Sequence, residues 1–229
     1  MIRLVLAAIL AAVLSGCVMP ERGLAISDVR DLRIVDVIVE MPKPTEGSPS
    51  TIVWPQAGLA YASTLMPAST RPVRIGRDPT GADTTPSPEE AAWDEKFMAL
   101  TRSGAAQTHV NTTLAQITRE SFRKRFVDQP AGRHGARLKI IVKSLQAPGG
   151  QASFTADAIL LDGVTGKSLT QYPNLTGIRT ASTAVVPATP AGIIIGLAAI
   201  AIADQIRGDP AHEAIDSASS SFAGWLLRE

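Results

Sequence analysis

Apolar and polar residues alternate clearly between residues 137 and 160. A period of two residues is typical of a β-strand that buries one face. Turns rich in glycine at 147–150 and 162–166 are short enough to join neighbouring strands directly. The pattern therefore predicts three consecutive antiparallel strands, the last over 167–172. The residues expected on one buried face are Leu138, Ile140, Val142, Phe154 and Leu160.

Apolar residues recur at helical spacing in three other segments. The segment 87–90 reads Ser-Pro-Glu-Glu, in which serine can cap a helix and the glutamates complement the helix dipole. A second helix is predicted from about 105 to 127. Phe122 and Phe126 lie off its apolar stripe, so that helix has either a wide buried face or two neighbours. A final helix is predicted from about 211, with a stripe formed by Ile215, Ala218, Phe222, Trp225 and Leu226.

The first part of the chain divides into a strand and a region rich in proline. Residues 31–40 predict a strand with Val35, Val37 and Val39 on one face. Eight prolines fall within 42–86, and proline opposes helices and central strands. We interpret 42–86 as an arm or partly ordered linker. The residues expected to dock on the domain body are Trp54, Leu59 and Tyr61.

The chain begins with the pattern of an export signal. Arg3 precedes a run of ten apolar residues, which suits a signal-peptide core and is too short to span a bilayer. The next four residues, Leu14-Ser15-Gly16-Cys17, resemble the lipobox of bacterial lipoproteins. That resemblance implies transfer of a diacylglyceryl group to the thiol of Cys17, the sole cysteine of the chain. The alternative is an ordinary secretory signal with an incidental cysteine.

These segments together predict an α+β fold after a lipoprotein signal peptide and a proline-rich arm. The expected sheet has three or four antiparallel strands packed with two or three helices. The predicted organisation is a signal peptide over 1–16, the anchored strand and arm over 17–86, and an α+β domain over 87–229. Val18 replaces the aspartate that favours inner-membrane retention of enterobacterial lipoproteins. The resemblance therefore implies the outer membrane, with the inner membrane as the alternative, and places the domain in the periplasm.

The balance of charged residues and their distribution along the chain bear on which partners the protein can bind. The chain has 22 basic and 21 acidic residues, a balance that argues against a nucleic-acid binder. The distribution is uneven, since 78–95 carries six acids and no base, whereas 119–143 carries eight bases and two acids. One interpretation is that the two stretches neutralise each other or are simply solvated. The other is that the basic stretch binds anionic lipid or an envelope protein partner.

Motifs for catalysis and metal binding are weak. Residues 163–168 lack the spacing of a phosphate loop and predict a hairpin turn instead. The histidines at 109, 134 and 212 have no second ligand at metal-binding spacing, and no G-x-S-x-G motif is present. We therefore assign no catalytic, cofactor-binding or metal-binding residue and expect no cofactor. The one assigned site residue is Cys17, for lipidation and membrane attachment.

Residues 191–203 form an apolar run with no polar side chain. The run is too short to span a bilayer. One hypothesis is a core helix buried against the sheet. The other is a helix that faces the membrane or a partner, for which Gly192 and Gly196 would allow close helix contact.

The turn sequence LLDGVTGK at 160–167, the helix before it and the closing Trp225-Leu226 resemble small periplasmic lipoproteins of alphaproteobacteria, whose function is unassigned. The likeness covers about 105–229 and implies no catalytic residues. The sequence thus predicts a lipid-anchored periplasmic protein, not an enzyme, that acts as an interaction or assembly module. The alternative is an anchored hydrolase or a small-ligand-binding protein.

Overall fold

A five-stranded sheet organises the computed structural model, which describes residues 23–43, 50–72, 86–127, 132–180 and 209–228. The strand order is β1–β3–β4–β5, and β2 pairs with the β1 side of β3. The β3–β4 and β4–β5 pairs are antiparallel, which confirms the three consecutive strands of the prediction. The strands are β1 (Leu32–Glu40), β2 (Ile52–Val53), β3 (His134–Gln146), β4 (Ala152–Asp162) and β5 (Ser168–Arg179).

The sheet is mixed, because β1 and β2 run parallel to β3. The prediction of three or four antiparallel strands is therefore wrong in strand number and in the direction of these two strands, while the α+β class is confirmed. Parallel neighbours need a crossover connection. Within the described ranges, α-helices over 55–65, 88–101 and 104–127 lie between β1 and β3 and form part of that connection. Alternation shows which residues share a face of a strand, but not which strands pair.

Helices cover one face of the sheet in two layers. In the first layer α4 packs on β1 and on α5, and α5 packs on β4 and β5. In the second layer α2 packs against α3 and α4. All three predicted helices are confirmed, as α3, α4 and α5. The helices are α1 (Ile26–Arg30), α2 (Pro55–Leu65), α3 (Pro88–Thr101), α4 (Gly104–Val127) and α5 (Pro210–Leu226), with a short 3₁₀ turn at Ala68–Thr70.

The expectation of an irregular arm over 42–86 is wrong for its middle part, which contains β2 and α2. Pro55 lies in the first turn of α2, where a missing N–H leaves no hydrogen bond unmade. Trp54 is 5% exposed and docks on the body as predicted, while Leu59 and Tyr61 are half-buried. The prolines thus delimit the elements here and do not exclude them.

The core lies between the sheet and the helices α4 and α5. The five residues predicted to share the buried face of β3 and β4 are at most 1% exposed, and the predicted stripe of α5 is also buried. The ring of Phe222 lies within 6.4 Å of the rings of Phe122, Phe126, Tyr172 and Trp225. Phe122 and Phe126 lie off the apolar stripe of α4 because they face α5. Of the two alternatives for α4, the one with two neighbours is confirmed.

A bulge changes the expected face of β1. Ile34 pairs with Ala136 and Asp36 pairs with Arg137, so Val35 is the extra residue between them. Val37 is buried and Val39 is half-buried on the core side, whereas Val35 is 50% exposed. The prediction of one face for all three valines is therefore wrong at Val35, because a bulge shifts the alternation by one residue.

The start of α3 provides a first test of the local structure. The hydroxyl of Ser87 accepts from the N–H of Glu90 at 3.2 Å, and the Glu90 carboxylate accepts from the N–H of Ser87 at 2.7 Å. Ser87→Ala is expected to lower the free energy of unfolding by about 1 kcal/mol, measured by urea titration. Ser63→Ala, at an exposed position in the last turn of α2, is the control and should have little effect. Equal losses in both variants would contradict a stabilising cap.

Candidate interaction surface

Two predicted features lie outside the described residues: the lipidation residue Cys17 and the apolar run at 191–203. The predictions for both therefore stay predictions. Among the helices that the structure does describe, none combines the length and the hydropathy needed to cross a membrane.

The three histidines lie apart and have different neighbours. The ring of His109 is 5.3 Å from that of Tyr61, and the ring of His212 is 6.5 Å from that of Trp54. His134 Nδ1 lies 2.6 Å from a carboxylate oxygen of Asp31 at the start of β1. Within the described ranges, no three side chains of the metal-binding types come together. These contacts tie α2 to α4 and α5, and β1 to β3.

Residues 162–167 form the hairpin turn between β4 and β5, as predicted. One carboxylate oxygen of Asp162 accepts from the N–H groups of Val164 and Thr165 at 3.1 and 2.6 Å, and from the Thr165 hydroxyl at 2.7 Å. These bonds, led by the backbone N–H of Thr165, hold the pKa of Asp162 below its usual range. A strand follows the turn, whereas a phosphate loop needs a helix at that point.

The bases of the stretch 119–143 divide into two groups. Three are held by the sheet: Arg119 donates to the Val37 carbonyl, Lys139 pairs with Glu40 at 2.6 Å, and Lys143 pairs with Asp157 at 2.7 Å. The other five are exposed, namely Arg123, Lys124, Arg125, Arg133 and Arg137. Internal pairing thus accounts for only part of the basic stretch.

The acidic stretch contributes an ion pair elsewhere in the fold. Arg71 donates through two nitrogens to the two carboxylate oxygens of Asp94, at 2.9 and 2.7 Å. This paired geometry is the strong form of an arginine–carboxylate contact. Arg71 lies just after the 3₁₀ turn, so Asp94 pairs with the arm and not with the basic stretch.

The exposed bases lie towards one end of the sheet, where β1 and β3 begin and β4 turns into β5. The strand register places Leu32 beside His134, and Ala136 beside Asp162. Lys167, in the turn, adds another exposed base. We call this surface the basic end and define it by Arg123, Lys124, Arg125, Arg133, Arg137 and Lys167.

Contacts along α4 and α5 show that both helices end towards the basic end. Early in α5, Ala214 lies against Gly177, and near its end the ring of Trp225 is 5.0 Å from that of Tyr172. The helix α5 therefore runs towards the start of β5. Ser121 donates to Asp216, and the ring of Phe126 lies 5.8 Å from that of Phe222, so α4 runs parallel to α5. The last turns of both helices thus point in the same direction.

The basic end also exposes apolar side chains. Val164 at the tip of the β4–β5 turn is 94% exposed, Val35 in the bulge is 50% exposed, and Leu227 at the end of α5 is 41% exposed. Sequence patterning missed these residues, because Val164 lies in a turn and Val35 belongs to a predicted buried face. The signal that could have marked Val164 is an apolar residue among the small polar residues of a turn.

Two acids at the basic end are already bonded to neighbours. Asp31 accepts from the N–H of Arg133 at 3.2 Å and contacts His134. These contacts, the backbone N–H of Arg133 first, hold the pKa of Asp31 below its usual range. Asp162 is occupied by its own turn. Asp28, Asp36 and Glu120 are further exposed acids on the elements next to this end.

A cavity of about 370 Å³ lies away from the basic end, between the β2–α2 segment and the junction of α3 with α4. Its lining is largely apolar and includes Ile52, Trp54, Leu59, Met98 and Val110. The polar side chains that line it are Thr101, Arg102 and Gln107, and the Thr101 hydroxyl donates to the carbonyl of Met98 at 2.8 Å. The lining thus presents an apolar surface with an exposed arginine at its edge.

Comparison with known proteins yields one similar structure. No family model matches the chain, and no curated protein matches its sequence. The crystal structure of a "putative lipoprotein" from Caulobacter crescentus CB15 is 18% identical and covers 51% of this chain and 85% of its own length. The TM-score is 0.29, a value too low to define a shared fold.

Proposed function

We propose that the chain is a lipid-anchored periplasmic protein of the outer membrane, whose α+β domain acts as a non-catalytic interaction or assembly module. The observation that carries the proposal is the lipobox at 14–17, which directly follows a signal-peptide core and ends at the only cysteine. Two or three acyl chains on that cysteine provide a stable anchor, whereas one chain binds membranes only marginally.

The arrangement of polar groups supports an interaction module over an enzyme. A catalytic site brings a nucleophile, a base and an orienting group into one pocket. The described histidines contact aromatic rings or a surface aspartate, at separate places in the fold. Six exposed bases lie together instead at the basic end, which suits contact with a large anionic partner.

Cys17→Ser is the direct test of the anchor. The variant is expected to lose incorporation of labelled palmitate completely and to leave the membrane fraction, because the chain has no second thiol to acylate. Val18→Asp keeps the thiol and is the matched control, which should still be acylated. Separation of outer and inner membranes on a sucrose gradient then tests the proposed location. Membrane retention of Cys17→Ser without palmitate incorporation in the unmutated protein would refute lipidation.

A further inference from the structure

We propose that the basic end is the membrane-facing surface of the domain, and that Val164 inserts among anionic lipid headgroups that the surrounding bases bind. This inference rests on the lipid anchor proposed above. It adds the orientation of the domain and the chemistry of the lipid surface that it recognises.

The position of the anchor along the chain supports this orientation. Six residue steps separate Cys17 from Gly23, the first described residue, and can span at most about 22 Å. The short helix α1 follows and leads directly to the start of β1, which lies at the basic end. Strand β4 has 11 residues and is about 36 Å long, so the distance along the sheet from the basic end to the opposite turn exceeds the length of this linker. The anchor therefore brings the basic end closest to the bilayer.

The charge of the basic end fits an anionic lipid surface. Each lysine or arginine near such a surface contributes about 1 kcal/mol of attraction. Arg133 and Lys167 flank the β4–β5 turn, and Arg123, Lys124 and Arg125 extend the charge along the end of α4. Asp31 and Asp162 accept hydrogen bonds within the domain and stay ionised, so they offset the charge of two of the six bases and leave an excess of positive charge.

Val164 has the position of an inserting residue. It is almost fully exposed at the tip of a turn whose backbone is held by the Asp162 carboxylate, and Lys167 lies three residues away. An apolar side chain among bases gains free energy when it enters the boundary between headgroups and acyl chains. Val35 and Leu227 expose further apolar surface at the same end.

Site-specific fluorescence on the full lipidated protein tests the orientation. Acylation consumes the thiol of Cys17, so Val164→Cys carries the only free thiol for an environment-sensitive fluorophore. Gln151→Cys is the matched control, since it is an exposed position in the β3–β4 turn at the opposite end of β4. The proteins are reconstituted into vesicles of phosphatidylethanolamine with one quarter phosphatidylglycerol. We expect a blue-shifted label at 164 and at least threefold stronger quenching by brominated lipids than at 151.

Charge-reversal variants and mass spectrometry test the proposal further. Reversing charge with Arg133→Glu and Lys167→Glu together should abolish the excess quenching at 164, whereas Arg102→Glu at the cavity should leave it unchanged. Equal quenching at 164 and 151, or the same signal on uncharged vesicles, would overturn the inference and leave the basic end to a protein partner. Mass spectrometry of the same samples reports acylation of Cys17. If the chain lacks the mass added by acylation, the proposed anchor is refuted. If the chain is acylated but the fluorophore at position 164 stays in water, only the proposed orientation is refuted.

Discussion

Gly177→Ala is expected to lower the free energy of unfolding by about 3 kcal/mol, because it forces apart a close backbone contact between the sheet and a helix. Gly177 is buried on β5, where α5 crosses it. A methyl group there would overlap the carbonyl oxygen of Ala214 and lie 2.7 Å from the backbone nitrogen of Ala218. Both atoms belong to helix backbone, which cannot move aside as a flexible side chain can. Urea unfolding followed by circular dichroism measures the change.

Gly224→Ala is the matched control. Gly224 lies on α5, the helix that Gly177 contacts, and a methyl group there meets nothing within 4 Å. Alanine favours a helix interior over glycine by up to about 1 kcal/mol, so this variant should be as stable as the unmutated protein or more stable. If Gly177→Ala unfolded at the same urea concentration as Gly224→Ala, the close packing of α5 on β5 would be refuted.

Ile140→Asp is expected to destabilise the domain by more than about 4 kcal/mol, which is most of the free energy of unfolding of a domain at the low end of the usual range. Ile140 is fully buried in the middle of β3, between β1 and β4. The substitution removes a buried apolar side chain and places a carboxylate there without a hydrogen-bonding partner. The midpoint of thermal unfolding, or the loss of soluble folded protein, reports the effect.

Lys139→Asp makes the corresponding change on the open face of the same strand. Lys139 is half-buried and pairs with Glu40 across to β1, so the variant loses a surface ion pair and sets two acids side by side. The expected loss is about 1 kcal/mol. Equal destabilisation by the two aspartate variants would mean that the assignment of the two faces of β3 is wrong.

The distribution of charge along the chain could be read from the sequence, but which bases form ion pairs and which stay exposed could not. The sequence shows eight bases within 119–143, and the fold separates those held by β1 and β4 from those exposed at one end. Whether a base has a partner depends on the register of strands that lie far apart in the chain. The pairing of Lys139 with Glu40 arises in this way, since about a hundred residues separate them.

The sequence alone determined the elements in which apolar residues recur at the spacing of one strand or one helix, because that spacing shows which face is buried. The buried faces of β3 and β4, the start of α3 and the stripe of α5 belong to this group, because a strand or helix with one apolar face has few other ways to bury it. The lipobox that ends at Cys17 is local in the same sense, and the prediction of a lipid anchor comes from it alone.

Only the tertiary structure decided the features that depend on contacts between distant segments. The parallel pairing of β1 with β3, the bulge at Val35 and the helix α2 in a proline-rich segment all depend on which surfaces meet in the folded chain. The same is true of the basic end, where bases from three separate segments come together. Pairing across long loops is selected by packing over the whole domain, and no single window of sequence contains that information.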